Sequence, residues 1–214
     1  MITIIGNMKG GTGKSTLAFN LAIWLAYRQP PLIFDLDPQQ TLADAIEVRK
    51  QENFTPALES ARDCNHLSNL STDREVIIDV SMSDSTALDQ ALLLAERVLI
   101  PVAPSQADVW STQRFVQHIQ QLRPTQPPTI LGVINRADTH PFIPETAETE
   151  AALEHLAPLQ RIPIRLYHRT AYRRSFSEGM AVFELEPNGK AAREINKLAA
   201  YLYPHLTKIR NKAC

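Results

Sequence analysis

The chain has 214 residues, of which 44% are apolar and 21% charged, with a formal net charge of −1 and two cysteines, Cys64 and Cys214. That length fits one compact domain with a sizeable core, expected to span residues 1–214. No run of about 18 apolar residues is present to cross a bilayer, no basic-then-apolar leader suggests secretion, and two isolated cysteines fit neither a disulfide framework nor a metal or iron–sulfur spacing, which suits a reducing cytoplasm.

The first predicted element is a strand over Ile2–Gly6. It runs into Lys9-Gly10-Gly11-Thr12-Gly13-Lys14-Ser15-Thr16, and a helix is predicted near Lys14–Tyr27. Strand, glycine-rich loop and helix form a phosphate loop. Glycines let successive N–H groups turn toward one anion, and the helix start adds its positive dipole end. Lys14 is placed to reach the β- and γ-phosphates, and the Ser15 hydroxyl to ligate Mg²⁺. The usual pattern has glycine where Met8 stands, and a second lysine, Lys9, leads the loop. One loop needs one phosphate lysine, so Lys9 is either surface charge or serves a second set of phosphates.

A strand over Pro31–Asp37 ends in Asp35-Leu36-Asp37-Pro38-Gln39. Carboxylates at i and i+2 leave a strand on one side, where they can hold metal-bound water and orient an attacking water. Capping of the next helix, Thr41–Gln51, is the competing role for Asp37. The apolar strand Val76–Val80 carries Asp79 near its end, the position that holds a Mg²⁺-bound water in a nucleotide site. Helix Ser85–Ala95, strand Val98–Ala103 and helix Ser105–Leu122 follow. At the start of the last, Asp108 is a candidate helix cap, and Trp110 is expected in the core rather than at a partner surface. Strand Thr129–Asn135 ends in an amide that can offer adenine both a donor and an acceptor, a turn role being the alternative. A loop at Pro124–Pro128 and a helix over Pro144–Leu156 complete this part. Such alternation means a mostly parallel sheet with helices on both faces, and ligands of such sheets lie at the carboxyl ends of the strands. None of the six histidines pairs with a nucleophile or metal cluster.

Charge is unevenly spread. Residues 1–159 hold 11 Lys+Arg against 19 Asp+Glu, whereas residues 160–214 hold 11 against 4. Arg165, Arg169, Arg173 and Arg174 fall close together with Tyr167 and Tyr172. The first three share a face if the stretch is helical. Lys190, Arg193 and Lys197 line a predicted helix over Asn188–Tyr203. Such a surface suits phosphate contacts that bind duplex DNA without reading sequence. A solvated basic face, or ion pairs to Glu178, Glu184 or Glu186, is the alternative.

The string KGGTGKST resembles the deviant Walker A box of the ParA/MinD family of ATPases, and Asp35–Gln39 and Val98–Trp110 are similar to the same family, the latter to its small plasmid-partition branch. The resemblance implies an α/β phosphate-loop fold, with ATP and Mg²⁺ as cofactors. It implies that Gly10, Gly11, Thr12, Gly13, Lys14, Ser15, Thr16 and Asn135 bind the nucleotide. Ser15, Asp35 and Asp79 would support the metal, and Asp37 would activate water. Lys9 would reach across a homodimer to the partner's ATP, with Asp108 near the dimer face. The basic residues Arg165, Arg169, Arg173, Arg174, Lys190, Arg193 and Lys197 would bind non-specific DNA in the dimer. One departure stands out: most relatives have Pro or Gly soon after the Asp79 position, where this chain has Val80-Ser81-Met82-Ser83-Asp84. No helix-turn-helix precedes the loop, as in the short ParA type, and Pro204–Cys214 does not resemble the amphipathic membrane anchor of MinD. The implied activity is slow, partner-stimulated ATP hydrolysis that positions a plasmid, chromosome origin or protein body over the nucleoid. The implied partner is a small ParB-like or cargo-adaptor protein, with no membrane. A MinD-like membrane switch and a metabolic ATP-dependent ligase of the same fold are the alternatives.

Overall fold

Short β-branched runs such as Ile2–Ile5 and Val76–Asp79 carry apolar residues on both faces, so they are stable only inside a covered sheet. A computed structural model, describing residues 1–62, 73–140 and 143–207, shows that sheet. Its strands are β1 (Ile2–Ile5), β2 (Leu32–Asp35), β3 (Val76–Asp79), β4 (Arg97–Val102), β5 (Thr129–Ala137) and β6 (Gln160–Tyr167). The order is β2-β3-β1-β4-β5-β6, and every pairing is parallel. The helices are α1 (Lys14–Ala26), α2 (Thr41–Gln51), α3 (Ser85–Leu94), α4 (Gln106–Leu122), α5 (Glu145–Glu154), α6 (Thr170–Ser177), α7 (Val182–Leu185), α8 (Lys190–Leu202) and α9 (Pro204–Thr207).

Alternate strand residues feed two cores. Ile5, Ile33, Ile77, Leu99 and Val133 point to the side covered by α1, α2 and α8. Ile4, Phe34, Ile78, Val98 and Ile134 point to the side covered by α3 and α4. Helix α1 is buried almost all round, between the sheet and the helices outside it. Its mid-helix polar residue, Asn20, is fully satisfied: its amide donates to Thr16 O and Ser175 Oγ, and its carbonyl accepts from Val182 N. The phosphate loop is therefore attached to a helix packed on nearly every side.

Five strands and six helices fall where the sequence reading puts them, with ends shifted by a few residues. The exception is the stretch after residue 159. Residues Gln160–Tyr167 form a sixth strand, with Ile162 and Leu166 buried and Arg161 and Arg165 turned outward. Arg165 lies in β6, Arg169 is the N-cap of α6, and Arg173 and Arg174 lie within α6. Arg165, Arg169 and Arg173 therefore do not share a helical face. Trp110 is a second correction: it is 54% exposed on α4 rather than in the core, where Phe115, Val116 and Ile119 already cover the sheet. Cys64 and Cys214 lie outside the described residues, as does the tail after Thr207.

Candidate nucleotide site

The chain leaves β1 on one side toward β3 and β2 and returns on the other as β4, so the crevice above β1 is the switch point where open parallel sheets bind ligands. The phosphate loop fills that crevice. Gly11 (φ 74°) and Gly13 (φ 87°) take left-handed backbone that other residues rarely adopt. At Gly13 a Cβ would also lie 2.5 Å from Asn135 Nδ2. No side chain caps α1, so its first amides remain open to an anion. The loop is braced from both sides. Asn135 donates to Thr12 O at 2.6 Å, while Asn7 donates to Pro101 O and accepts from Lys9 N and the Ser111 hydroxyl. Asn135 thus supports the loop as well as lining the cavity beside it.

A cleft of about 260 Å³ is lined by Gly10, Gly11, Gly13, Lys14, Ser15 and Thr16 of the loop and α1, by Asp37, Gln39, Thr41, Ser81 and Ser83 from beyond β2 and β3, and by Arg136 and Phe176 from the β5 side and α6. Among the described residues the Asp37 carboxylate accepts from Gln39 N alone, at 3.0 Å. Asp35 accepts from Asp37 N at 3.2 Å and from Ala43 N at 2.8 Å. Capping of α2, weighed for Asp37, therefore falls to Asp35, and Asp37 faces the cleft. Asp79 is fully buried at the end of β3, in register with Ile5 and Asp35. Among the described residues neither of its oxygens has a hydrogen-bond partner. Burial pushes its pKa up to about 7, with the Asp35 and Asp37 carboxylates adding to the rise and the Ser15 hydroxyl and Lys14 charge opposing it. Burial also raises Asp35, against the amides that favour its charge.

An orphaned buried carboxylate beside a serine hydroxyl is a hard oxygen set, and it fits Mg²⁺. Among the described residues no group of three or more acidic, His or Cys side chains could hold a metal alone. A cation here would share its ligands with phosphate and water, the usual arrangement for Mg²⁺. The Thr41 hydroxyl donates to Ser15 Oγ at 3.0 Å. Thr41, Ser81, Ser83 and Arg136 are site residues the sequence reading missed. The first three sit next to the recognised acidic motifs, a signal that adjacency alone carried.

Lys9 Nζ lies 2.5 Å from Asp108 Oδ2. Asp108 is buried, and Ser105 and Asp108 bond each other reciprocally at the start of α4. The capping role belongs to Ser105, and Asp108 holds Lys9 within its own subunit.

A narrower cavity adjoins the cleft through Gly13, Thr16 and Arg136. Its far wall is built by Asn135, Tyr167, His168, Arg169, Tyr172 and Arg173. Two of the arginines read as DNA contacts thus line a cavity beside the phosphate loop. Three of the seven predicted DNA-contact residues are neutralised by glutamates. Arg165 pairs with Glu150 at 2.5 Å, Arg169 with Glu194 at 2.7 Å, and Arg174 with Glu178 and Glu186. The pairings of Arg174 match two of the alternatives weighed from sequence. Arg193 donates to Asn188 O. Lys190, Lys197 and Arg173 are exposed, with no ion pair among the described residues.

The sheet order, the cleft above the glycine-rich loop and the buried aspartate beside it define a nucleotide-binding α/β protein of the phosphate-loop type. Residues 3–181 match the CobQ/CobB/MinD/ParA nucleotide binding domain, and the chain belongs to that family. It is similar to the "Maintenance of carboxysome distribution protein A" of Halothiobacillus neapolitanus, 28% identical over 209 residues, covering 94% of this chain and 95% of that one. Protein ParA of Rhizobium radiobacter is 32% identical over 131 residues, covering 56% of each chain. The fold is shared with the ATP complex of McdA from Cyanothece (TM-score 0.75, 20% identical, covering 94% of this chain and 95% of that one). It is also shared with the Mg-ADP complex of the septum site-determining protein MinD from Pyrococcus horikoshii (TM-score 0.71, 18% identical, covering 94% and 95%).

Proposed function

We propose that this protein is an ATP-dependent dimerising ATPase that binds DNA without sequence preference and positions a cargo over the nucleoid. The observation that carries the reading is the phosphate loop with its two lysines, Lys14 buried at the start of α1 and Lys9 reaching out from the loop's front edge. Lys14 and the α1 amides neutralise the triphosphate. Asp37, lining the same cleft and with one carboxylate oxygen free of donors among the described residues, orients water toward the γ-phosphate. Mg²⁺, held through Ser15 and the acidic pair Asp35 and Asp79, supplies charge neutralisation when bound. Release of Lys9 from Asp108 lets it reach the nucleotide of a second copy, so ATP joins two subunits.

The DNA surface is narrower than the sequence suggests. Lys190, Arg193 and Lys197 follow one face of α8 and keep their charge free for phosphates, whereas Arg165, Arg169 and Arg174 spend theirs on carboxylates. The relatives matched over nearly their full length are named for carboxysome distribution, which favours a protein body of that kind over a plasmid as cargo, brought by a small adaptor protein. The test is light scattering and fluorescence anisotropy on one sample with Mg²⁺ and either ATP or ADP. Dimers and bound duplex of arbitrary sequence are expected with ATP only. A monomer with ATP, or equal DNA binding in both states, rejects the reading.

A further inference from the structure

Helix α8 is fixed by its buried face, Ala191, Ala192, Ile195, Leu198 and Leu202. That anchoring places Glu194 against the turn between β6 and α6. The carboxylate is 11% exposed and makes three kinds of contact there. It accepts from Tyr167 N at 3.1 Å, from Arg169 Nε at 2.7 Å and from the Tyr172 hydroxyl at 3.0 Å. Arg169 also lies over the Tyr167 ring, 5.0 Å from its centroid. Burial and the Glu194 charge push the Tyr172 phenol far up, so it stays a donor.

All three partners line the narrow cavity that opens off the phosphate cleft beyond Gly13 and Thr16. Glu194 itself does not line it. Backbone pairing to β5, through His168 N to Ala137 O at 2.9 Å, holds one side of the turn, but the N-cap of α6 is Arg169, which has no acceptor to offer the helix amides. One buried carboxylate from α8 therefore holds the last residue of a strand, the cap of a helix and a first-turn tyrosine in one arrangement. A cavity adjoining a triphosphate cleft at the first turn of α1, walled by aromatic and amide side chains, has the chemistry to take the base and ribose of a nucleotide.

We infer that Glu194 is a positioning residue for the nucleoside end of the nucleotide, acting through Tyr167, Arg169 and Tyr172 without touching the ligand. The inference rests on the reading of the cleft as an ATP site. It predicts a split between two ligands. ATP uses both cavities, whereas inorganic tripolyphosphate uses only the phosphate cleft.

Calorimetric titration of the full chain with each ligand, in excess Mg²⁺, measures the split. Glu194→Ala removes a buried charged acceptor, so ATP binding is expected to weaken about tenfold or more, with tripolyphosphate binding unchanged. Glu194→Gln keeps an acceptor for the backbone and phenol but loses the charge facing Arg169, and should fall between wild type and alanine. If the alanine variant does not fold, the glutamine variant decides by the same ratio. In turnover assays KM for ATP should rise while kcat stays within about twofold, as expected when binding shared by ground and transition states is removed. Glu178→Ala, which removes one of the two carboxylates paired with Arg174 on the surface, should leave both ligands unaffected. Equal weakening of ATP and tripolyphosphate would show a merely structural residue and overturn the inference, as would unchanged ATP binding. A wild-type protein that binds neither ligand overturns the ATP reading itself, and the inference with it.

Discussion

Asp79 ends β3 and Asp37 follows the end of β2 by two residues, yet their environments give them different chemistry. Asp37 is engaged by one amide and faces the cleft. Replacing it with alanine should leave ATP binding and dimerisation intact and lower turnover by about 10²–10⁴; turnover near the wild-type rate would remove it from the mechanism. Asp79 is buried with no partner and its pKa stands at about 7. A carboxyl raised in the folded state is favourable when protonated. The stability of metal-free protein should therefore fall between the ordinary carboxylate range and about pH 7, as the unfolded chain loses this proton and the folded chain keeps it. Asp79→Asn cannot ionise, so its melting temperature should decline less over that window. Mg²⁺ binding by the wild type should tighten through pH 7. Parallel melting curves for the two proteins from pH 4 to pH 8 would contradict this assignment.

At the scale of elements, the C-terminal third holds what the period of the sequence hid. Strand β6 alternates buried Ile162 and Leu166 with outward Arg161 and Arg165, but Pro163 and the basic residues mask that alternation. It is an edge strand, where proline and charge are tolerated. Once it forms, its arginines meet Glu150 and Glu154 of α5. The charge excess counted along the chain is thus partly cancelled across elements, and among the described residues the remainder without an ion pair is Arg173 on α6 with Lys190, Arg193 and Lys197 on α8. Replacing Lys190 and Lys197 together with alanine should flatten the slope of log affinity for DNA against log salt by roughly 0.9 for each phosphate left without its cation, while Arg165→Ala should change it little. A salt titration in which Arg165→Ala has the larger effect would return the interface to β6.

For the whole molecule, the open question of Lys9 becomes a matter of assembly. In one subunit its ammonium is held by Asp108, a pairing half open to solvent and so of modest strength. A second copy that offers a triphosphate competes with one carboxylate. Lys9→Ala should bind ATP in the monomer yet fail to dimerise by light scattering, and a mutant dimer as stable as the wild type would eliminate the role in trans. The exposed Trp110 lies two residues beyond Asp108 on the same helix, so its fluorescence is a convenient reporter of that event.

The local parts of this protein could be read from its sequence because their physics is local. A glycine-rich loop between an apolar strand and a helix specifies its own geometry, so Gly10–Thr16, and the strands that end in Asp35 and Asp79, were legible without a structure. The family followed from the same residues, and the matched domain agrees with it. Tertiary structure decided everything that depends on which distant groups meet. It gave α2 capping to Asp35, left both Asp79 oxygens without a hydrogen-bond partner among the described residues, exposed Trp110, and paired Arg165 with Glu150 and Arg169 with Glu194. It also set Glu194 of α8 behind Tyr167, Arg169 and Tyr172, which line the cavity beside the phosphate loop. Charge and hydrogen bonding act through space, and a one-dimensional count of lysines and arginines cannot show which of them are already paired.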